Sequence, residues 1–545
     1  MFPSLTLPNV RIGLSFRVLD VVAVSFFTWT LIRLARTAHR RARTTRLNGP
    51  PSRNLVLGFP EFFSIHDYSP DTYEAWAEEY GAVYQLPSVL GTTRIILCDP
   101  KAIAHFYAKE TTTYIMTPLG KFLTGAVAGR DSLLTTHGDV HKRLRKSVTP
   151  AFSVAAIRKL LPIFYDSAYK TKAAWDEILQ DSPDGATIEA QEWMSHISLD
   201  TIGIAGFSHD FASLKGEKSV VATAFQEMNN TKPSPIFKYL FLLAHLFPGI
   251  LNLPNPRTKL SKMLHDSTSA ISTQLFAKTK KEKEDGLVEG EQDKSIIGLL
   301  IKAESTDSAL HMTPEEVVTQ MRVLLFAGYD TTSISLTWAL IELCRDQDAQ
   351  DKLREELSQI DGDPTWEQLT NGLPYLDAVV HETLRLHVLL GESSRMATED
   401  DIIPLSGPVV TPFSPTPVTH VSVPRGTIVT APIASVNRSK VLWGPDAKQF
   451  KPSRWIDEDG IPQQAKEIQG HKHLLTFADG PRTCLGKGFA IAEFKAVLFV
   501  LIRNFKFEFR DGPQTKLGFA GGILPRPVIL GEEGSRVPLL VSRVA

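Results

Sequence analysis

The sequence predicts a large globular body that contains long apolar helices and follows an apolar N-terminal segment. The first observation is Thr313-Pro-Glu-Glu316, which reads as a helix-capping box with proline at the first helical position. A long apolar helical stretch follows this box. The second is the apolar run 489–505, which has helical length and comes directly after a glycine-containing turn. The third is a hydrophobic content of 43%, which is ample for a substantial core.

Composition narrows the class of protein. The formal net charge of −1 provides no global field that would recruit nucleic acid or acidic substrates, so we expect no nucleic-acid partner. The cysteines are few and far apart, at Cys98, Cys344 and Cys484, which excludes a disulfide framework and fits a reducing compartment. The length of 545 residues suggests three domains of ordinary size, but the order of motifs along the chain favours one large body.

The N-terminus differs in kind from the body. Residues 12–34 are mostly apolar, but Arg17, Asp20 and Arg33 leave an uncharged run only at 21–32. A membrane-spanning helix needs roughly 18 to 20 apolar residues. The segment therefore spans a bilayer only if Arg17 pairs with Asp20 and Arg33 extends to the interface.

A cluster of arginines follows this apolar segment and precedes a stiff proline turn, Asn-Gly-Pro-Pro. Positive charge on this side places the following body in the cytosol. No small-residue cleavage site stands out behind the apolar run. We therefore expect an uncleaved membrane anchor at 1–35, a basic and proline-rich hinge at 36–52 and the body at 53–545. The alternative is a helix that lies in the membrane interface.

The decapeptide at 477–486, Phe-Ala-Asp-Gly-Pro-Arg-Thr-Cys-Leu-Gly, reads as a loop that gives a cysteine thiolate to a haem iron. In this interpretation Cys484 is the axial ligand, Arg482 holds a haem propionate and Gly480 permits a tight turn. Phe477 packs beside the sulfur and excludes water. The N-terminus of the helix at 489–505 faces the sulfur and favours the thiolate. The alternative is a buried free cysteine in a glycine turn.

This decapeptide resembles the signature of the cytochrome P-450 superfamily, the haem-thiolate monooxygenases. The resemblance extends over roughly nine tenths of the chain. It implies a cytochrome P-450 fold, mainly α with small β-sheets, in which a triangular helical prism surrounds a long central distal helix. In that fold haem b lies between the distal and proximal helices. The segment 53–545 is then a haem-thiolate catalytic domain, and the N-terminal membrane anchor is added to it.

A Glu-x-x-Arg pair, Glu382 and Arg385, stands in an apolar helical frame. Such a pair alone is weak support, because most helices carry acid and base three residues apart on their surface. The family adds an arginine from a Pro-x-Arg-Phe turn, which matches Arg454 here with Trp455 in place of phenylalanine. In the family these three charges form a buried network that holds the haem-binding loop, so the resemblance implies a structural role for all three.

The helix after the capping box contains Ala-Gly-Tyr-Asp-Thr-Thr at 327–332, which is similar to the distal-helix motif of the family. Gly328 would leave room for dioxygen and weaken the helix enough for a bulge or a water. Asp330 and Thr331 would relay protons to dioxygen so that its O–O bond splits. The alternative is that Thr331 and Thr332 only bond back to preceding carbonyls, as mid-helix threonines often do.

Four residues match family positions that hold the haem propionates. His141 and Arg145 stand where the family usually has Trp-x-x-x-Arg, and a neutral imidazole retains one N–H to donate. Arg395, after the Glu-x-x-Arg helix, and Arg482 complete the set. For Arg395 the alternative is a strand-edge ion pair with a neighbouring acid, Glu399 or Asp400.

The substrate pocket is less well defined. The family builds its walls from a loop that corresponds to 116–134 and from the segments before and after a mobile lid, which is here about 229–264. The apolar run inside this lid is either a core helix or a surface that dips into the bilayer. A Pro-, Ser- and Thr-rich insertion at 404–424 suggests a surface hairpin. Apolar residues near the expected iron site, Ala327 and 388–390, favour a hydrophobic small-molecule substrate.

Three function classes follow from the resemblance. The first is a monooxygenase that uses O2 and takes electrons from an NADPH-cytochrome reductase, with cytochrome b5 as an optional second donor. It would be anchored in the endoplasmic reticulum membrane with the catalytic domain facing the cytosol. Similarity to fungal secondary-metabolism members suggests a terpenoid or similar substrate, by analogy alone. The second is a reductase-independent isomerase or dehydratase that acts on an oxidised lipid. The third is a non-catalytic haem-binding sensor.

Overall fold

The structure is a computed structural model, and it describes residues 10–52, 70–88, 92–230, 256–284, 295–298, 312–412 and 414–544. The predicted mainly helical fold with small sheets is confirmed. The helices are α1 (Val10–Arg43), α2 (Pro70–Tyr80), α3 (Pro100–Ala108), α4 (Pro118–Ala128), α5 (Gly138–Val148), α6 (Val154–Arg158), α7 (Leu161–Ile178), α8 (Ala190–Phe207), α9 (Val220–Asn230), α10 (Pro256–Glu284), α11 (Pro314–Arg345), α12 (Gln347–Ser358), α13 (Pro374–Leu386), α14 (Ile433–Val436), α15 (Lys440–Trp443), α16 (Gln463–Lys466) and α17 (Lys487–Asn504).

The strands form small sheets. They are β1 (Val83–Pro87), β2 (Thr93–Leu97), β3 (Tyr114–Met116), β4 (Ala186–Glu189), β5 (Ser393–Ala397), β6 (Asp401–Thr411), β7 (Ser414–Val423), β8 (Ile428–Ala431), β9 (Phe505–Phe509), β10 (Leu517–Ala520), β11 (Arg526–Ile529) and β12 (Pro538–Arg543). The largest sheet has the order β1-β2-β8-β5-β3, and a three-stranded sheet has the order β4-β12-β9. The pairs β6-β7 and β10-β11 are two-stranded and antiparallel.

Helix α11 is the central helix of the body, and most of its residues from Val317 to Cys344 are buried, including every residue from Thr332 to Cys344. The capping box that the sequence predicts starts it. The Thr313 hydroxyl accepts from the Glu316 N–H at 3.2 Å, and a Glu316 carboxylate oxygen accepts from the Thr313 N–H at 3.0 Å. These bonds satisfy backbone N–H groups that have no partner within the helix, so they define Thr313 as the N-cap of α11. It packs most extensively against α8.

Helix α17 follows the cysteine turn and is buried on nearly every face, from Phe489 to Ile502. Its main neighbour is α7, where the rings of Phe164 and Phe489 meet edge to face with centroids 4.9 Å apart. It also contacts α11. Helices α7, α11 and α17 therefore share one hydrophobic core, which fixes the cysteine turn relative to the central helix.

Helix α1 continues to Arg43, so residues 36–43 of the segment predicted as a basic and proline-rich hinge are helical. The physical reason is that this segment is bound to the body. Arg40 donates to the Gly426 carbonyl at 2.7 Å, and Arg43 pairs with Asp400 at 2.5 Å. Leu47 is completely buried.

No single helix in the described part of the chain is long and apolar enough to cross a bilayer, although one bent pair of helices, Gly138–Phe152 with Val154–Ile178, has the necessary length and composition. The apolar side chains Val21, Val24, Phe26 and Phe27 of α1 are exposed.

The proline-rich insertion at 404–424 is the expected hairpin, because it forms most of β6 and β7, whose register shifts between Pro404 and Thr411. The predicted lid at 229–264 lies largely outside the described residues. Its described ends belong to α9 and α10.

Candidate haem and oxygen site

The cysteine turn is held by the backbone of α3. Gly480 adopts a left-handed φ of +63°, and a Cβ atom at this position would lie 2.3 Å from the Tyr107 carbonyl oxygen. Only glycine fits there. The Cys484 N–H donates to the Phe477 carbonyl at 2.8 Å, which closes the loop around the thiol. The turn thus has the tight geometry that the decapeptide predicts.

Cys484 is exposed just before the start of α17. The protein around the sulfur nevertheless desolvates it, and this burial raises the pKa of the thiol. The backbone N–H groups of Gly486 and Lys487 and the Arg145 guanidinium oppose the rise, because they favour the thiolate. A metal cation at the sulfur would act in the same direction.

Two arginines brace the cysteine turn. Arg145 on α5 donates to the Thr483 carbonyl at 2.7 Å, next to the cysteine. Arg482 donates to the carbonyls of Leu133 and Leu134 at 3.3 and 3.2 Å and to the Thr136 carbonyl. Both guanidiniums therefore lie at the junction of the cysteine turn with the segment before α5.

His141 lies with these arginines and is buried on α5. Burial together with the neighbouring Arg482 and Arg145 charges lowers the pKa of His141 to about 4. The imidazole is consequently neutral at physiological pH. It retains one N–H donor, as the sequence analysis requires of a residue in the place of tryptophan.

Arg395 on β5 forms an ion pair, but not with the acids that the sequence suggests. Its guanidinium is 2.6 Å from the Glu110 carboxylate, and Glu110 is almost completely buried. Glu399 instead accepts from the Thr113 hydroxyl, and Asp400 pairs with Arg43. Sequence analysis missed Glu110, because it follows a lysine, precedes three threonines and reads as an exposed loop residue.

The residues present fit a haem at this place. Arg145, Arg395, Arg482 and neutral His141 converge, since Arg482 interacts electrostatically with both other arginines and with His141. The Nε–H groups of Arg395 and Arg482 are buried and have no hydrogen-bond partner among the described residues. Unsatisfied buried donors are rare, and a pair of carboxylates would accept from them.

The distal motif lies on an unbroken stretch of α11. Ala327 is exposed although most of the helix is buried, so this face borders open space. The Thr331 hydroxyl donates to the Ala327 carbonyl at 2.5 Å, which is the back-bonded arrangement named as the alternative. The hydroxyl donor is thus engaged, while its oxygen remains an acceptor.

Gly328 lies at the contact between α11 and α8. A Cβ atom at Gly328 would lie 2.7 Å from Cγ1 of Ile202 on α8. The glycine therefore permits close packing of α11 against α8, and the helix shows no bulge at this position. Sequence analysis missed Ile202, which is far away in the chain.

Asp330 is completely buried and paired. Its Oδ1 accepts from Arg526 at 2.5 Å, and Arg526 opens β11 and is itself buried. Arg526 also interacts with the hydroxyl of Tyr329, together with Ser195 of α8. Burial raises the pKa of Tyr329 to about 12. The predicted relay acid is thus held by an arginine that the sequence analysis did not identify.

A second buried acid lies near the distal motif. Glu493 on α17 is completely buried and interacts with the hydroxyls of Thr332 and Ser198. Burial raises the pKa of Glu493 well above its usual value, which favours the protonated form. Its position within an apolar run of α17 was the only signal of an unusual role.

The predicted structural residues form one network. Arg385 donates to both carboxylate oxygens of Glu382 at 2.8 Å, and both side chains are completely buried. The Trp455 indole donates to Glu382 at 3.0 Å, which gives the unusual aromatic a hydrogen-bonding task. Arg454 approaches Glu382 only to 3.5 Å and pairs more closely with Asp446, at 2.9 Å.

Comparison with known proteins agrees with this geometry. The family model described as Cytochrome P450 matches residues 49–529. The chain is 54% identical to cytochrome P450 monooxygenase claQ of Ampulloclitocybe clavipes over 96% of this chain and 98% of that protein. It is 50% identical to cytochrome P450 monooxygenase claW of the same fungus over 99% of both.

More distant relatives share the length as well. Cytochrome P450 monooxygenase 128 of Postia placenta is 32% identical over 91% of this chain and 92% of that protein. Both the family match and these identities over nearly the whole chain identify the family. The chain therefore belongs to the cytochrome P450 family of oxygen-incorporating haem enzymes, whose cofactor is haem b with an axial cysteine thiolate.

Proposed function

We propose that this monooxygenase inserts one oxygen atom of O2 into a hydrophobic small molecule, a terpenoid or a similar secondary metabolite, with electrons from an NADPH-cytochrome reductase. The observation that supports the hydrophobic class is that the residue of α11 exposed beside the distal motif, Ala327, is apolar. Val388 and Leu389, between α13 and β5, are only partly buried and add apolar surface. Apolar walls with few polar groups suit an apolar ligand. Terpenoid chemistry remains an analogy with fungal members of the family.

Cys484 is the proposed axial ligand. The Gly480 turn, the closing hydrogen bond to Phe477 and the N–H groups at the start of α17 support this role. Haem held there supplies the binding and reductive activation of dioxygen. Replacing Cys484 with alanine should abolish the long-wavelength Soret band of the reduced carbon monoxide adduct. A folded, haem-loaded variant that keeps this band would refute the assignment.

We assign the propionates to His141, Arg145, Arg395 and Arg482. The support is their convergence and the two unsatisfied Nε–H groups. A neutral imidazole adds a hydrogen bond without a charge. Removal of His141 should therefore weaken haem retention by about 1 to 3 kcal/mol. Removal of an arginine should weaken it more.

Thr331 and Asp330 are the proposed proton relay. Thr331 lies one turn after exposed Ala327, and its O–H donates a hydrogen bond to the Ala327 carbonyl. The hydroxyl oxygen can still accept a hydrogen bond from a donor such as water. Asp330 is paired with Arg526, so in the proposed relay its carboxylate accepts a proton from solvent water when this pair loosens and then passes that proton on. Glu382, Arg385 and Arg454 position the cysteine loop and contact no reacting atom.

The proposed location is the endoplasmic reticulum membrane, with 1–35 as the anchor, 36–52 as the connection and 53–545 as the haem-thiolate domain in the cytosol. The exposed apolar side chains of α1 and the following arginines support this proposal. Fractionation of the full chain and of a chain lacking 1–35 tests it. Membrane recovery that does not change on deletion would contradict an N-terminal anchor.

The decisive experiment for the reaction uses purified full-length protein, the reductase, NADPH and a panel of terpenes under ¹⁸O2. The expected result is a product that carries one labelled oxygen atom and forms only with NADPH and the reductase; cytochrome b5 can be added as a second donor. A terpene or oxidised lipid that is rearranged without NADPH would replace this proposal with the isomerase or dehydratase function. Haem binding without any conversion would favour a sensor.

A further inference from the structure

Glu110 is a buried acid at the edge of the proposed propionate site. It lies between α3 and β3, and its side chain is about 1% exposed. Its carboxylate is 2.6 Å from the Arg395 guanidinium, and it also interacts electrostatically with Arg482. Burial raises the pKa of Glu110, while the two arginines oppose this rise. Burying a carboxylate costs free energy unless it is paired, so the position of Glu110 beside these arginines points to a specific role.

The charges at this site explain why an acid is present. Arg145, Arg395 and Arg482 contribute three positive charges, and His141 is neutral at physiological pH. A haem contributes two propionate charges. Without Glu110, one partly buried guanidinium would lack a counter-charge, which is unfavourable. With Glu110, three cations face three anions.

A second nearby acid does not supply this charge. Asp479 interacts electrostatically with Glu110 and with Tyr107, but it is only partly buried and therefore better screened by solvent. Glu110 is the acid in direct ionic contact with Arg395.

We propose that Glu110 is a positioning residue for the haem: it holds Arg395 toward one propionate and supplies the third negative charge of the site. This inference rests on the proposed placement of the propionates. A fixed negative charge near the haem stabilises the ferric state, which carries one more positive charge than the ferrous state. Glu110 therefore lowers the reduction potential of the haem.

A purely structural role for Glu110 is distinguishable. The backbone already joins the two segments, because β3 pairs with β5 in a register that places Met116 opposite Arg395. The Thr398 N–H also donates to the Thr113 carbonyl at 2.8 Å. A substitution that keeps the shape of Glu110 but removes its charge should leave this pairing intact. A change in the reduction potential would then report on the charge.

The first test measures the reduction potential of full-length, haem-loaded protein by spectroelectrochemical titration without substrate. Glu110→Gln should shift the equilibrium toward the ferrous haem by roughly tenfold, or about 59 mV for a one-electron step. Glu110→Asp keeps the charge, so its ferric–ferrous equilibrium constant should stay within about twofold of that of the unaltered protein. Glu399→Gln is the matched control, because Glu399 bonds Thr113 outside the arginine cluster. An unchanged or lowered potential in Glu110→Gln overturns the inference.

The second test follows haem transfer to excess apomyoglobin. Glu110→Gln should speed haem loss several-fold, because Arg395 is no longer held in place. In an Arg395→Gln background, the same substitution should cause no further acceleration. Equal acceleration in both backgrounds would refute the positioning role. If the Glu110→Gln variant does not load haem, the Glu110→Asp variant decides the question. A ferric–ferrous equilibrium constant that changes more than about twofold in Glu110→Asp contradicts the charge argument.

The two tests also separate this inference from the assignment beneath it. If Arg395→Gln alters neither haem loss nor the potential, Arg395 does not hold a propionate and the site assignment is wrong. If Arg395→Gln alters both while Glu110→Gln alters neither, the assignment stands and only the role of Glu110 is refuted.

Discussion

Replacement of Arg385 by methionine should destabilise the protein more than removal of any surface charge. Arg385 is completely buried and donates twice to Glu382. It also donates to the carbonyls of Asn437, Ala447 and Gln449 at 3.0, 2.5 and 3.2 Å. The substitution thus removes one partner of a buried ion pair and leaves three inward-facing carbonyls without this donor.

The magnitude follows from these contacts. Breaking a buried pair by removing one partner costs about 3 to 5 kcal/mol. The three carbonyls that lose their donor add to this cost. The Glu382 carboxylate keeps the Lys451 N–H and the Trp455 indole as donors, which reduces the cost of losing Arg385. We expect a loss of about 4 kcal/mol, which is a large share of a usual folding free energy of about 5 to 15 kcal/mol.

The assay is urea unfolding of haem-loaded protein, followed by Soret absorbance and far-ultraviolet circular dichroism. Arg158→Met is the matched control, because the Arg158–Glu367 pair is more than half exposed and should contribute less than about 1 kcal/mol. Arg385→Lys should fall between the two, since it keeps the charge and loses the planar fork. Equal losses for Arg385→Met and Arg158→Met would refute the reasoning.

Three further results are expected. Thr331→Ala should bind haem normally but release more hydrogen peroxide per NADPH oxidised; an unchanged ratio would remove Thr331 from the relay. Gly328→Ala should lower the unfolding temperature because its methyl group meets Ile202, and Ile202→Ala in the same chain should restore most of the loss; no rescue would contradict the packing explanation. Because the folded-state pKa of His141 is about 4, below its usual 6.5, the stability it contributes is present above pH 6.5 and is lost as the pH falls toward 4. Apoprotein with His141→Gln should therefore show a shallower acid decline in chemical denaturation between these values, and parallel curves would contradict it.

The sequence predicted the parts of the site whose chemistry is local. The Gly480 turn, the Thr313 capping box and the Glu382–Arg385 pair each depend on residues within a few positions of one another. Their residue types determine their backbone geometry. These elements occur in the structure at the residues where the sequence analysis located them.

The residues that sequence analysis missed are partners supplied by distant segments. Arg526 lies 196 residues from Asp330, and no pattern around it distinguishes it from a solvated strand residue. Glu110 reaches Arg395, and Ile202 reaches Gly328, across comparable distances in the chain. Only the packing of the elements brings these pairs together.

The attachment of residues 44–50 to the body decides where the chain can be shortened. Leu47 is completely buried, and the Asn48 carbonyl accepts from the Gln85 N–H at 2.9 Å. A Cβ atom at Gly49 would lie 1.9 Å from the Gln85 carbonyl, so this segment fits closely against the edge of the largest sheet. A crystallisation variant cut at residue 53 would remove a strip of the core and expose β1. A cut within α1, before Arg40, would keep that edge sealed and retain the Gly426 contact.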